Sequence, residues 1–248
     1  MKTLFENKVA LVTGGAMGIG KATALAFARE GAKVVVADLA ENEGQEVVNT
    51  IKKNGPDAIF VKCDVSKAGD VDAMITTAVD TYGHLDCCFN NAGISVFGLT
   101  ADLKEEEWDR AISVDLKGVW LCMKYEIPQM VKQGHGAIVN CASVAAFKGT
   151  PTLCAYTAAK HGVIGLTKTA ALEYIKAGVR VNAVCPGATF TTLTERTDPA
   201  LLQVMIEQQP IGRLARADEI AEAVLWLCSD LASFCTGIAM PVDGGLLA

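Results

Sequence analysis

Three side chains in the second half of the chain could move a proton together. Tyr156 and Lys160 stand four residues apart in a stretch with helical character, a spacing that puts phenol and ammonium on one face. A free phenol, with a pKa of about 10, is a poor acid–base catalyst near neutrality. A neighbouring cation stabilises the phenolate and commonly lowers that value by about one to three units, which gives a proton donor and acceptor suited to interconverting an alcohol and a ketone. Ser143 lies 13 residues before Tyr156, just past an apolar run at 137–141. Its hydroxyl could hydrogen-bond a substrate oxygen and stabilise developing negative charge there. Tyr and Lys four apart are commonly plain helix surface, and a serine after a strand is commonly a cap. The three together point to chemistry.

A second cluster near the start could hold an anion. The apolar run 9–13 leads into Thr13-Gly14-Gly15-Ala16-Met17-Gly18-Ile19-Gly20, and helical periodicity follows at once. Glycines let the backbone approach a diphosphate closely, and a helix N-terminus offers free N–H groups and a positive dipole end. Glycines placed between a strand and a helix at the start of a strand–helix–strand unit fit a dinucleotide better than a mere tight turn. The next apolar run ends at Asp38, 18 residues after Gly20, where a carboxylate can accept hydrogen bonds from an adenosine ribose. It would repel a 2′-phosphate of about −1.5 to −2 charges. Neither Met17 nor Leu39 is basic, so the expected coenzyme is NAD rather than NADP.

These residues must be positioned by an alternation that runs the length of the chain. Apolar runs at 9–13, 34–38, 58–63, 85–90, 137–141, 179–184 and 238–242 alternate with helical periodicity at 20–30, 43–53, 70–82, 105–131, 156–176 and 218–229. Nearly continuous apolar strands are those covered on both faces. The expectation is an α/β fold: a single-domain, doubly wound parallel sheet of about seven strands with helices on both faces. No linker interrupts residues 1–248. The Thr-rich stretch from 186 to about 210 reads as a lid over the site.

Composition bounds the rest. The 248 residues are 51% hydrophobic and 20% charged, with net charge −6. An acidic chain with scattered basic residues is a poor partner for nucleic acid or an anionic membrane. No apolar run reaches the roughly 18–20 residues of a membrane span, and Glu6 and Lys8 interrupt the start before a signal peptide could form. Nine cysteines in no zinc or redox spacing suggest free thiols in a reducing cytoplasm; burial explains Cys87 and Cys88 better than redox sensing. His84, His135 and His161 stand in no metal or triad spacing, so no metal is expected.

Taken in order, Thr13-Gly14-x-x-x-Gly18-x-Gly20, Asn90-Asn91-Ala92-Gly93, Ser143, Tyr156-x-x-x-Lys160, Asn182-Ala183-Val184-Cys185-Pro186-Gly187 and Asp243-Gly244-Gly245 resemble the short-chain dehydrogenase/reductase family over essentially the whole chain, and with it the Rossmann fold. The resemblance implies that Tyr156 is the general acid or base, that Lys160 tunes it and binds the nicotinamide ribose, and that Ser143 orients the substrate oxygen. It implies that Gly14, Met17, Gly18, Ile19 and Gly20 cradle the diphosphate, with Asp38 and Leu39 at the ribose. Asp64 and Val65 would flank the adenine, Asn91, Ala92 and Gly93 the path from adenosine to nicotinamide, and Pro186, Gly187, Thr189 and Thr191 the carboxamide. One position departs: Asp115 replaces the family's usual Asn, whose backbone carbonyl holds a relay water. Asp115 keeps that carbonyl, and its carboxylate could pair with Lys160.

The substrate is expected to be a small ketone or secondary alcohol met by Ser143, Ala145, Leu153 and Tyr156. Ser95, Val96, residues 144–153 and the lid to about Met205 would make largely apolar walls, with Phe147, Phe190 and Leu193. Helices 105–131 and 156–176 carry apolar residues on more than one face, and the family implies a homotetramer built partly on them. The runner-up is a 3-oxoacyl-[acyl-carrier-protein] reductase using NADPH. Asp38, and Leu172 where such enzymes tend to carry Arg, argue against it. A dinucleotide-sensing regulator would have no need of Ser143, Tyr156 and Lys160 together.

Overall fold

The computed structural model describes residues 3–191 and 199–248. The periodicities become β1 (Val9–Thr13), α1 (Gly18–Arg29), β2 (Lys33–Asp38), α2 (Glu41–Lys53), β3 (Ala58–Lys62), α3 (Ala68–Tyr82), β4 (Cys87–Asn90), α4 (Glu105–Ile112), α5 (Val119–Gln133), β5 (Gly136–Cys141), α6 (Cys154–Tyr174), β6 (Val179–Pro186), β7 (Thr189–Phe190), α7 (Pro199–Glu207), β8 (Ala215–Arg216), α8 (Ala217–Cys228) and β9 (Ala239–Val242). Seven strands form one parallel sheet in the order β3-β2-β1-β4-β5-β6-β9, and β7 and β8 pair separately.

Side chains alternate along each strand and feed two cores. Ala10, Val12, Val34, Val36 and Phe89 pack under α1, α2 and α8. Leu11, Val35, Cys88, Ile138 and Val181 pack under α3, α5 and α6. Burial on both faces is why these strands read as unbroken apolar runs. The sheet order reverses between β1 and β4, and ligands bind in the crevice beyond the strand ends at such a point. The glycine-rich turn leaves β1 there, and Asn91 leaves β4.

The helix expected at 105–131 is not continuous. Ser113–Gly118 wind as a π-helix between α4 and α5. The wider turn carries an extra residue, a feature frequent at functional sites. It rotates Asp115 inward until it is 0% exposed, which a regular helical pattern does not foretell.

Candidate active site

The glycine turn is shaped first by its own packing. Gly14 (φ +63°) and Gly18 (φ +54°) hold left-handed conformations that favour glycine. A Cβ on Gly14 would lie 2.8 Å from Asn91 Nδ2, and one on Gly20 would lie within 2.1 Å of the Gly14 carbonyl oxygen. Those two glycines are therefore required by contact within the protein. Among the described residues, a Cβ on Gly18 would meet the Thr191 side chain alone, at 3.3 Å, so Gly18 faces the crevice. Met17, the N-cap of α1, makes no side-chain cap, and the first turn holds no acid. An uncapped, positive helix end behind a Cβ-free cradle fits an anionic diphosphate.

Thr13 and Asn91 brace this turn. Asn91 Nδ2 donates to the carbonyls of Thr13 (3.1 Å) and Gly14 (3.2 Å), and Thr13 Oγ1 accepts from the N–H groups of Asn91 and Ala92. The Asn91 amide is thus spent on the turn. The motif letter Thr13 carries no role in the sequence alone; in the fold its hydroxyl, at the end of an apolar strand, ties β4 to the turn.

Asp38 closes β2 with each oxygen held: Oδ2 accepts from Ala16 N–H and Oδ1 from Ala40 N–H, both at 3.0 Å. Met17 and Leu39 are exposed beside it. Asp64 Oδ1 accepts from Ser66 N–H and Oγ, and its carboxyl is held below the ordinary value by those bonds and by Lys67. Its side chain is committed to the turn before α3. Val65 is buried against the π-turn, where a Gly118 Cβ would come within 2.8 Å of it. Beyond β6, Gly187 N–H bonds to the Val242 carbonyl (3.0 Å), and Thr189 Oγ1 donates to the Gly187 carbonyl (3.0 Å). Residues 186–191 so return across the crevice until Thr191 reaches Gly18. Leu193 and residues 192–198 of the lid expected at 186–210 lie outside the described residues.

Ser143, Tyr156 and Lys160 converge. Ser143 Oγ caps a 3₁₀ turn by accepting from Ala145 N–H (3.1 Å), and its hydroxyl lies beside the Tyr156 phenol. Lys160, 3% exposed, donates from Nζ to the Cys141 carbonyl at 2.8 Å and sits 5.3 Å from the Tyr156 ring centroid. The expectation of a lowered phenol pKa needs correction. Burial raises Tyr156 above its ordinary value; the Lys160 charge and the neighbouring Ser143 hydroxyl pull it down without overcoming that. For Lys160, burial favours the neutral amine, but the fields of Tyr156, Cys141, Asp115 and Cys185 outweigh it and keep the group cationic.

Asp115 does not pair with Lys160. Its Oδ1 accepts from Ile94 N–H at 2.7 Å, and its buried Oδ2 has no partner among the described residues. Burial raises its pKa against the pull of Lys160 and the Ile94 N–H. A Cβ on Gly93 would lie 3.0 Å from Asp115 Oδ1 and 3.6 Å from Lys160 Nζ, so Gly93 makes room for both polar groups.

The outer wall is apolar. Val96 is buried with Ala111 and Ala155, Leu153 is half-buried, and Phe97, Leu99, Phe147 and Phe190 are exposed. Gly98 N–H bonds to the Thr152 carbonyl at 2.9 Å, and Gly98 bridges Leu153. Thr152 holds φ +67°, unusual for a β-branched residue, so the two loops are locked together. His84 and His135 lie at the opposite edge of the sheet against Asp86, and His161 bonds to the Thr157 carbonyl. Among the described residues no group of three potential ligands could hold a metal, and no helix is long and apolar enough to cross a membrane.

A doubly wound parallel sheet, a helix end open to a diphosphate and a Ser–Tyr–Lys cluster at the same edge define a nicotinamide-dinucleotide oxidoreductase of the Rossmann type. The family model described as enoyl-(acyl carrier protein) reductase matches residues 14–247. A cyclohexanol dehydrogenase of Acinetobacter is 45% identical, over 98% of this chain and 96% of its own length. A 3-oxoacyl-[acyl-carrier-protein] reductase of Staphylococcus aureus is 42% identical, over 97% and 98%. The solved structure of levodione reductase superposes with a TM-score of 0.93 at 35% identity, covering 97% of this chain and 98% of that one. The chain belongs to the short-chain dehydrogenase/reductase family.

Proposed function

We propose that the protein interconverts an uncharged secondary alcohol and its ketone with NAD(H), Tyr156 acting as the general acid or base. The observation that carries this is the convergence of the Tyr156 phenol, the Ser143 hydroxyl and the buried Lys160 ammonium at the crevice. The bound coenzyme supplies or accepts the hydride. Gly14, Gly18, Ile19 and Gly20, with Met17 at the rim, form the diphosphate seat, and Asp38 and Leu39 form the ribose end. Asp64, Val65, Asn91, Ala92 and Gly93 line the way inward, and Pro186, Gly187, Thr189 and Thr191 cover the nicotinamide side. Ser143 hydrogen-bonds the substrate oxygen. Tyr156, kept neutral by burial, donates its proton to that oxygen in reduction. In oxidation, Lys160 stabilises the phenolate that receives the proton. Asp115 holds Ile94 and offers its backbone carbonyl to a relay water. Ala145 and Leu153 complete the substrate wall.

The apolar loops, together with the cyclohexanol dehydrogenase likeness, support an apolar, uncharged substrate. The two outer apolar surfaces, one at Trp120 on α5 and one at Phe234 and Leu231 near the edge strand β9, support a homotetramer. Nine free thiols support a reducing cytoplasm. The Staphylococcus relative favours a second reading, an NADPH-dependent carrier-protein reductase. The Asp38 carboxylate and the exposed, uncharged Leu172 weigh against it. The test is turnover of cyclohexanol and cyclohexanone with NAD(H) and NADP(H), by wild type and Tyr156→Phe. Loss of at least about a thousandfold in kcat with retained coenzyme binding supports the assignment; an active Tyr156→Phe enzyme refutes it.

A further inference from the structure

Glu126 stands on α5 with its side chain against the sheet, 0% exposed. Its Oε2 accepts a hydrogen bond from Asn90 Nδ2 at 3.0 Å. The same Nδ2 donates to Asn140 Oδ1 at 3.0 Å, its register partner across β4 and β5. Asn140 Nδ2 in turn donates to Thr167 Oγ1 on α6 at 3.0 Å and to Met123 Sδ on α5 at 3.3 Å. One polar network therefore joins β4, β5, α5 and α6 inside an apolar core. Two of its buried oxygens, Asn90 Oδ1 and Glu126 Oε1, have no hydrogen-bond partner among the described residues.

The titratable groups facing Glu126 are thiols: Cys88 on β4 and Cys122 on α5. β5 and α6 contribute the uncharged Asn140 and Thr167. No cation faces it among the described residues. Burial pushes the carboxyl up to about 7, with the Asn90 hydrogen bond and the nearby Cys88 thiol opposing. In the neutral form one oxygen becomes a donor, and the network holds no charge. In the ionised form a charge is buried without a counterion, which strongly disfavours the packed arrangement.

The network ends one residue short of two working groups. Asn90 precedes Asn91, whose side chain braces the glycine turn. Asn140 precedes Cys141, whose carbonyl holds Lys160. We propose that Glu126 is a positioning residue: as a neutral acid it fixes the ends of β4 and β5 that carry the coenzyme turn and the Lys160 anchor, and its ionisation loosens both. The Lys160 half rests on the function proposed above, whereas the coenzyme half does not. The folded-state value lies above the ordinary 4.5, so the penalty is absent below about pH 4.5, grows towards pH 7 and is complete above it.

Glu126→Gln keeps the acceptor and the volume and cannot ionise. Coenzyme Kd, read by fluorescence without turnover, and kcat/KM are measured for variant and wild type from about pH 5.5 to 8.5. The expected result is a variant-to-wild-type ratio that is constant at low pH and then shifts about 3–10-fold in the variant's favour, in both quantities, with a midpoint near 7. In wild type, the infrared C=O stretch of a buried carboxylic acid should disappear over the same range and be absent from the variant. Ratios that do not change with pH, or a carboxyl already ionised at about pH 5.5, overturn the proposal. A melting-temperature difference that grows with pH while the Kd and kcat/KM ratios stay flat also overturns it, because the charge would then matter to stability alone. A pH-dependent Kd ratio without turnover of any alcohol would instead count against the proposed reaction and leave the coenzyme half standing.

Discussion

Replacing Asp38 with serine should relax the choice of coenzyme, and the size of the effect follows from how the carboxylate is held. Both oxygens accept backbone N–H groups at 3.0 Å, one from the glycine turn and one from the entry to α2. Swinging away from a second anion would sacrifice two hydrogen bonds to a charged acceptor, each worth about 1.5–3 kcal/mol. The carboxylate must therefore stay and bear the repulsion. Two unit charges about 5 Å apart interact by about 1–3 kcal/mol at effective dielectrics between about 80 and 20. A 2′-phosphate brings about −1.5 to −2 charges. For a half-buried group the middle of that range gives about 3 kcal/mol, or roughly a hundredfold. The assay is kcat/KM for NAD and NADP with wild type and Asp38→Ser, at low and high ionic strength. Wild type should favour NAD about a hundredfold, and the variant should lose most of that through KM for NADP. Loosening of the turn weakens both coenzymes and cancels in the ratio. Salt should narrow the wild-type gap and leave the variant's nearly unchanged. Wild-type preference for NADP, or an unchanged ratio in Asp38→Ser, would refute the reasoning.

Two other substitutions probe the site and its frame. Asp115→Asn keeps an acceptor for Ile94 N–H and removes a negative field that raises both Tyr156 and Lys160. The acid limb of the kcat/KM profile for alcohol oxidation should move to lower pH, and an unmoved limb would remove the Asp115 charge from the mechanism. Arg180→Ala deprives four carbonyls, those of Leu227, Cys228, Ser229 and Cys235, of their guanidinium donor at 2.7–3.3 Å. With partial compensation by water, the loss should be about 3 kcal/mol. That is a fall of about 6–12 °C in melting temperature for a chain of this size, with coenzyme KM unchanged; calorimetry with steady-state kinetics checks it.

Burial governs the electrostatics throughout. Tyr156 and Lys160 were legible as a pair because four residues of helix fix their separation. Which way the phenol titrates was not legible, because that depends on how much water the assembled crevice leaves around it. Asp115 shows the same division. The letter change from the usual Asn was visible at once, yet the expected pairing with Lys160 failed. A π-turn aims the carboxylate at Ile94 N–H, and Lys160 is drawn to the Cys141 carbonyl. Glu126 left a trace that went unread: it lies three residues after Met123 and four before Met130, both buried, so the acid occupies the apolar stripe of α5.

Local chemistry along the chain was enough for the seven parallel strands, most of the helices between them and the glycine turn, and for singling out Tyr156 and Lys160 as a pair. Each of these depends on neighbours a few residues away, or on a periodicity that persists however the segments later pack. Contact between distant segments settled the rest: Asn91 beneath Gly14, Thr191 over Gly18, Glu126 against Asn90, and the balance of burial and charge at Tyr156. Such pairings bring together residues tens of positions apart in the chain. Desolvation and long-range hydrogen bonds act only once the sheet and helices have closed around them.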